Sequence, residues 1–157
     1  MENKITCKGF TPYKHQRAVI DELRDAKGTG KRVVCLSSRQ KGKTFMIANL
    51  LLYYALNNKK FKCYCISPTL KQSKSIFNTI YDAVSASGLI TKANAADLEI
   101  KFINSSFIFF KSAEQKDALR GYTADFLCID ECCFISDEVY YIVAPWADAK
   151  QAPVLMV

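Results

Sequence analysis

Gly42, Lys43 and Thr44 close the stretch SRQKGKT at residues 38–44, between the apolar runs RVVCLS and FMIANLLL. A glycine, a lysine and a hydroxyl residue in that order suit the phosphates of a nucleotide. Gly42 lets the backbone approach closely, the ammonium of Lys43 meets the β- and γ-phosphates, and the Thr44 hydroxyl offers a ligand to Mg2+. Ser37, Ser38, Arg39, Gln40 and Lys41 make up the rest of the loop, whose backbone N–H groups would surround the phosphate oxygens. The usual pattern has a glycine five residues before Gly42, and this chain has Ser37 there. A small residue serves if the turn does not require left-handed backbone angles. The guanidinium of Arg39 could meet a phosphate oxygen or an acidic neighbour; otherwise it is a solvated cation on an exposed loop.

A second chemical feature lies far downstream. FLCID, followed by Glu131, is four apolar residues and then two carboxylates. A buried strand would deliver Asp130 beside the loop to hold Mg2+ directly or through water. Glu131 would then orient and deprotonate a water attacking the γ-phosphate. The plainer alternative is a strand ending in surface acids. Upstream, Gln16 in TPYKHQR has a carbonyl and an amide that can pair with N6 and N7 of adenine, with Phe10 or Tyr13 stacking on the base. Taken alone, Gln16 is equally a solvent-facing residue of a helix.

These groups need elements to position them. Residues 11–26 read as a capped amphipathic helix after Thr11-Pro12, and KGTGK as a turn. RVVCLS reads as a short buried strand, and TFMIANLLLYYALNN as a long apolar helix ending at two asparagines. FKCYCISPT is a second strand stopped by Pro68, and LKQSKSIFNTIYDAVSASG a helix closed by Gly88. Residues 99–111 read as two strands joined at Asn104-Ser105-Ser106, a hairpin. ADFLCIDE is a strand with an acidic end, 137–149 a helix interrupted near Pro145, and PVLMV a last buried strand. Strands alternating with helices give an α/β fold, a mostly parallel sheet with helices on both faces. In such sheets ligands sit at the carboxyl ends of the strands, where both the loop and Asp130-Glu131 fall.

The bulk composition agrees with one ordinary domain. The chain has 157 residues, half of them hydrophobic and a quarter charged, a globular composition and not a disordered one. Its net charge of +7 favours a polyanionic partner, although a merely soluble basic protein has the same balance. Lys59, Lys60 and Lys62 form one basic cluster, and Lys71 and Lys74 another. No run approaches the ~20 apolar residues of a membrane span, and MENKITCKGF lacks the layout of a signal peptide. Seven cysteines, Cys7, Cys35, Cys63, Cys65, Cys128, Cys132 and Cys133, are read as reduced and mostly buried thiols. With no C-x-x-C pair and a single histidine, His15, a zinc site is the weaker reading.

Together these blocks resemble the ATPase domain of the large terminase subunit of tailed bacteriophages, the motor that packages double-stranded DNA into a prohead. SRQKGKT resembles that family's variant phosphate loop, with an arginine before Gly-Lys-Ser/Thr. ALRGYTADFLCIDECCFI, residues 118–135, resembles its Arg-Gly block followed by the Walker B strand. TPYKHQR resembles its adenine motif, shared with superfamily 2 helicases, and SPT at 67–69 resembles the motif after the next strand. The resemblance implies a P-loop NTPase of the ASCE/RecA-like type with ATP and Mg2+ as cofactors. It assigns Lys43 and Thr44 to phosphate and magnesium, Asp130 to magnesium, Glu131 to catalysis, and Arg39 to sensing or polarising the γ-phosphate. Arg120 would reach a neighbouring subunit's nucleotide, or else act as a cap or salt bridge before the Walker B strand.

The implied partners are double-stranded DNA, further copies in a homo-oligomeric ring, a portal protein and a small terminase subunit, in the cytoplasm of an infected bacterial host. The family continues into a polar coupling motif and a nuclease domain, whereas this sequence stops at PVLMV, so residues 1–157 are expected to be a single, truncated ATPase domain. A superfamily 2 helicase-like ATPase is the other enzymatic reading. A non-catalytic module that binds ATP for assembly is the reading from a different class.

Overall fold

A computed structural model describes residues 10–24, 26–37 and 41–157 of the chain. Four helices, α1 (Lys14–Arg24), α2 (Lys43–Asn57), α3 (Leu70–Val84) and α4 (Asp137–Asp148), surround one sheet. Its strands are β1 (Arg32–Val34), β2 (Lys62–Ser67), β3 (Ile90–Asn94), β4 (Glu99–Phe102), β5 (Phe107–Ser112), β6 (Phe126–Ile129) and β7 (Val154–Met156). Their order across the sheet is β1-β7-β6-β2-β5-β4-β3. Pairs from β1 through β5 are parallel, and β5-β4-β3 is an antiparallel meander at one edge. This is the mostly parallel α/β sheet with a hairpin expected from the sequence.

The sheet is covered on both faces because its middle strands carry apolar residues in both alternations. Cys63 and Cys65 of β2, with Phe126 and Cys128 of β6, face a core shared with α1, α2 and α3. Tyr64, Ile66, Leu127 and Ile129 point the other way, onto α4 through Val139, Val143 and Trp146. Helix α2 is buried almost all round, which explains its unbroken apolar sequence. The Tyr54 hydroxyl donates to the Leu23 carbonyl and ties α2 to α1, while its ring stacks on Phe126. The side chains of Asn57 and Asn58 donate to the Tyr53 and Tyr54 carbonyls, 2.8 and 2.9 Å, so the two asparagines do close the helix.

The β4–β5 turn is fastened to that helix end. Asn104 Nδ2 donates to the Ala55 carbonyl at 2.7 Å and the Ser106 hydroxyl to the Asn58 carbonyl at 2.5 Å. Four features differ from the expectations, the first being that β1, expected to be a buried strand, lies at the sheet edge with Arg32 and Val34 exposed. Helix α1 begins at Lys14, beyond Pro12. Strand β3 has no counterpart among the expected elements. Helix α4 runs unbroken through Pro145, whose carbonyl accepts from Ala149 N–H at 3.2 Å. Among the described residues no helix is long and apolar enough to cross a membrane.

Candidate active site

The loop after β1 and the acidic residues after β6 emerge at the same edge of the sheet. Gly42 is the N-cap of α2 with φ 69°, a left-handed angle that a side chain disfavours. A Cβ there would also stand 3.1 Å from Gln16 Nε2, so glycine is required by both angle and space. Lys43 and Thr44 open α2, and Lys43 Nζ donates back across the loop to the Ser37 carbonyl at 3.4 Å. Ser37 is not among the residues with left-handed backbone, so the missing glycine costs the turn nothing. Ser38, Arg39 and Gln40, assigned to phosphate from the sequence, lie outside the described residues.

Gln16 sits behind this loop, only 1 % exposed. Its Nε2 donates to the carbonyls of Lys41 and Gly42, at 2.8 and 3.1 Å, and its Oε1 accepts from Tyr13 N–H at 2.9 Å. Both amide hydrogens are therefore committed to the loop backbone. In this structure the side chain braces the loop from within the fold. Tyr13, 61 % exposed and beside Gly42, is the part of that segment that faces solvent.

Strand β6, buried on both faces, delivers the acids. Asp130 N–H continues the ladder to the Ile66 carbonyl at 2.8 Å, and the residue is 8 % exposed. Burial pushes its carboxyl up to about 6; the negative charge of Glu131 adds to the rise, and Lys43 pulls it down. Glu131 has φ 48° and leads a single 3-10 turn, Cys132–Phe134. A non-glycine residue held there costs about 1 kcal/mol or more. Two hydrogen bonds hold the bend: Cys132 N–H to the Val157 carbonyl at 2.8 Å, and Gln72 Nε2 to Glu131 Oε2 at 2.6 Å.

Gln72 is itself set by a reciprocal cap at the start of α3. Thr69 Oγ1 accepts from Gln72 N–H at 3.3 Å and Gln72 Oε1 accepts from Thr69 N–H at 3.1 Å. The sequence signal for this cap is Thr-x-x-Gln directly after Pro68. The sequence reading above misses that signal, and with it the partner of Glu131.

Between loop and acids lies a cleft of about 710 Å³, lined among others by Lys43, Thr44, Gln72 and Glu131, with Phe45 and the 68 % exposed Phe134 at its rim. Backbone N–H groups of a helix start, a lysine and a glutamate converge there, an arrangement suited to a phosphate chain and an attacking water. The donors expected to hold a metal, the Thr44 hydroxyl and the buried Asp130 carboxylate, are oxygens and would suit a hard cation. Among the described residues no group of three or more His, Cys, Asp or Glu could hold a metal alone. That fits an Mg2+ shared with substrate phosphates, which supply the remaining ligands.

Arg120 is not brought to this cleft. It is exposed, follows the 3-10 segment Ala113–Leu119, and lines a separate depression of about 440 Å³ with Gly121, Glu138 and Tyr141. Lys71 and Lys74 are exposed at the start of α3, whereas Lys59, Lys60 and Lys62 lie at the opposite end of β2. Cys35, Cys63, Cys65 and Cys128 are buried free thiols, Cys132 is half-buried and Cys133 exposed; Cys7 lies outside the described residues.

Comparison with known proteins bears on the same region. The model of a protein family described as "Terminase large subunit, T4likevirus-type, N-terminal" matches residues 34–143, more than half of the chain. The solved large terminase of bacteriophage HK97 is similar at a TM-score of 0.80 and 15 % identity, over 99 % of this chain and 35 % of that one. The ATPase domain of the Thermus phage P74-26 large terminase is similar at 0.75 and 22 % identity, over 94 % and 65 %. The large terminase of another thermophilic bacteriophage, solved in complex with ADP, is similar at 0.73 and 15 % identity, over 93 % and 38 %. The chain thus spans less than two thirds of each of these structures. Among curated proteins, none matches it by sequence.

Proposed function

The chain belongs to the N-terminal domain family of T4-like large terminase subunits, and from that premise we propose that it is the ATPase part of a motor that hydrolyses Mg-ATP to drive double-stranded DNA into a prohead. The observation that carries this reading is the convergence of Lys43, Thr44 and Glu131 on one cleft, with Asp130 directly before Glu131 at the end of β6.

In this reading the α2 start and the Lys43 ammonium hold the β- and γ-phosphates. Thr44 and Asp130 hold Mg2+, which when bound neutralises charge on the phosphate oxygens. Glu131 lines the cleft with one carboxylate oxygen fixed by Gln72, leaving the other to take a proton from water attacking the γ-phosphate. Arg120, exposed and away from its own chain's cleft, is available to a neighbouring subunit, as a ring of copies requires. The basic excess, including Lys71 and Lys74, serves sequence-independent contacts to the DNA backbone. The portal protein and the small terminase subunit are the further partners of the reading.

Two measurements test it. ATP binding, followed by equilibrium dialysis with Mg2+, should fall at least ~10-fold in Lys43→Ala, which removes a cation from the phosphates. ATP-dependent movement along duplex DNA without strand separation, assayed in the presence of its packaging partners, supports a packaging motor. Strand separation would mark a helicase instead, and binding with no turnover an assembly module.

A further inference from the structure

Ser67 ends β2 with its side chain wholly buried, 0 % exposed, and its hydroxyl has no hydrogen-bond partner in the protein. Buried hydroxyls are nearly always paired, so this one calls for a physical account. The strand register locates it. Cys63 pairs with Phe126 and Cys65 with Cys128, and all four face the core under α2. Two residues on, in the same alternation, Ser67 stands beside Asp130, whose N–H extends the same ladder to the Ile66 carbonyl.

On its other side Ser67 pairs with Ser112. That hydroxyl is already engaged, with the Pro68 carbonyl at 3.4 Å and with Glu114 at 3.2 Å. On the β6 side its neighbour in register is Asp130. Parallel strands lie about 4.8 Å apart, so the two side chains are neighbours in register.

We propose that Ser67 is a positioning residue for magnesium, its hydroxyl hydrogen-bonded to a water in the hydration shell of the ion that Asp130 and Thr44 hold. This rests on the Mg-ATP reading above. Mg2+ gives up its waters reluctantly and is bound with several of them retained. A protein hydroxyl fixed by a rigid strand can orient one such water, and outer-shell partners of this kind are worth about 10- to 100-fold in metal affinity. The same hydroxyl contributes nothing to the metal-free fold, where it has no partner to lose.

The test is an electron paramagnetic resonance titration of Mn2+ into the full chain with saturating ADP, alongside thermal unfolding of the metal-free chain. In Ser67→Ala, Mn2+ affinity should fall about 10-fold. ADP binding in excess chelator should stay at the wild-type level, and Tm should be unchanged or raised. Equal Mn2+ affinity in wild type and Ser67→Ala would overturn the role of Ser67 while leaving the Mg-ATP reading intact. A lowered Tm would also overturn it, because the hydroxyl would then be stabilising the fold itself. Failure of the wild-type chain to bind Mn2+ with ADP would sink the Mg-ATP reading and this inference with it.

Discussion

Gln16 and Ser67 are both buried polar side chains behind one cleft, and the fold treats them in opposite ways. Gln16 has both amide hydrogens on the carbonyls of Lys41 and Gly42 and its oxygen on Tyr13 N–H. Ser67 has no partner, and the carboxyl of neighbouring Asp130 is pushed up to about 6, chiefly by burial. The phosphate-loop side is thus closed by the protein's own hydrogen bonds. The acid side keeps unmet polar demand, which costs stability and is worth keeping only if something binds there.

The contrast can be broken most strongly at Asp130. Asp130→Asn removes the proposed metal ligand, and Mn2+ affinity with ADP should fall on the order of 100-fold. The same change should stabilise the metal-free chain at pH 7 by on the order of 2 kcal/mol, because it removes a buried charge. The sign follows from the folded value, about 6, lying above the ordinary 3.8. The folded state then binds more protons than the unfolded one between those values. This group's contribution therefore strengthens the fold as pH falls through 6 toward 4, and metal affinity weakens over the same range. Denaturant midpoints from pH 4 to 7 should show that slope in wild type and lack it in Asp130→Asn. A variant less stable than wild type at pH 7 would show that the acid side is structural after all.

Gln16→Ala should give a stability effect of similar size and opposite sign. Two loop carbonyls lose their donor, and denaturant unfolding should show a loss of about 1–3 kcal/mol. Retained stability in Gln16→Ala would erase the difference between the two regions.

The acid side is easier to read in the sequence than the brace. Asp130-Glu131 follows four apolar residues that are buried on both faces of the sheet, so both the strand and its end are legible. Gly42-Lys43-Thr44 is legible for a like reason, at the junction of two apolar runs. Gln16 stands out as important, but its direction does not. Whether an amide turns to a base or to a loop depends on how α1 packs, and the contact crosses 25 residues. The Gln72–Glu131 bond crosses 59 residues and has only a local capping signal behind it. Strand β3 is mostly exposed, ITKAN, without the alternation that marks a half-buried strand. Pro145 misleads because a proline inside a helical run predicts an interruption, whereas here the packing of Val143, Trp146 and Ala147 against the sheet keeps α4 continuous.

The central claim is that Glu131 drives hydrolysis of Mg-ATP in this cleft. Steady-state phosphate release by wild type and Glu131→Gln, at equal ATP occupancy, tests it most directly. Loss of the catalytic base should lower turnover at least ~100-fold while ATP still binds. Equal turnover in the two chains would contradict it.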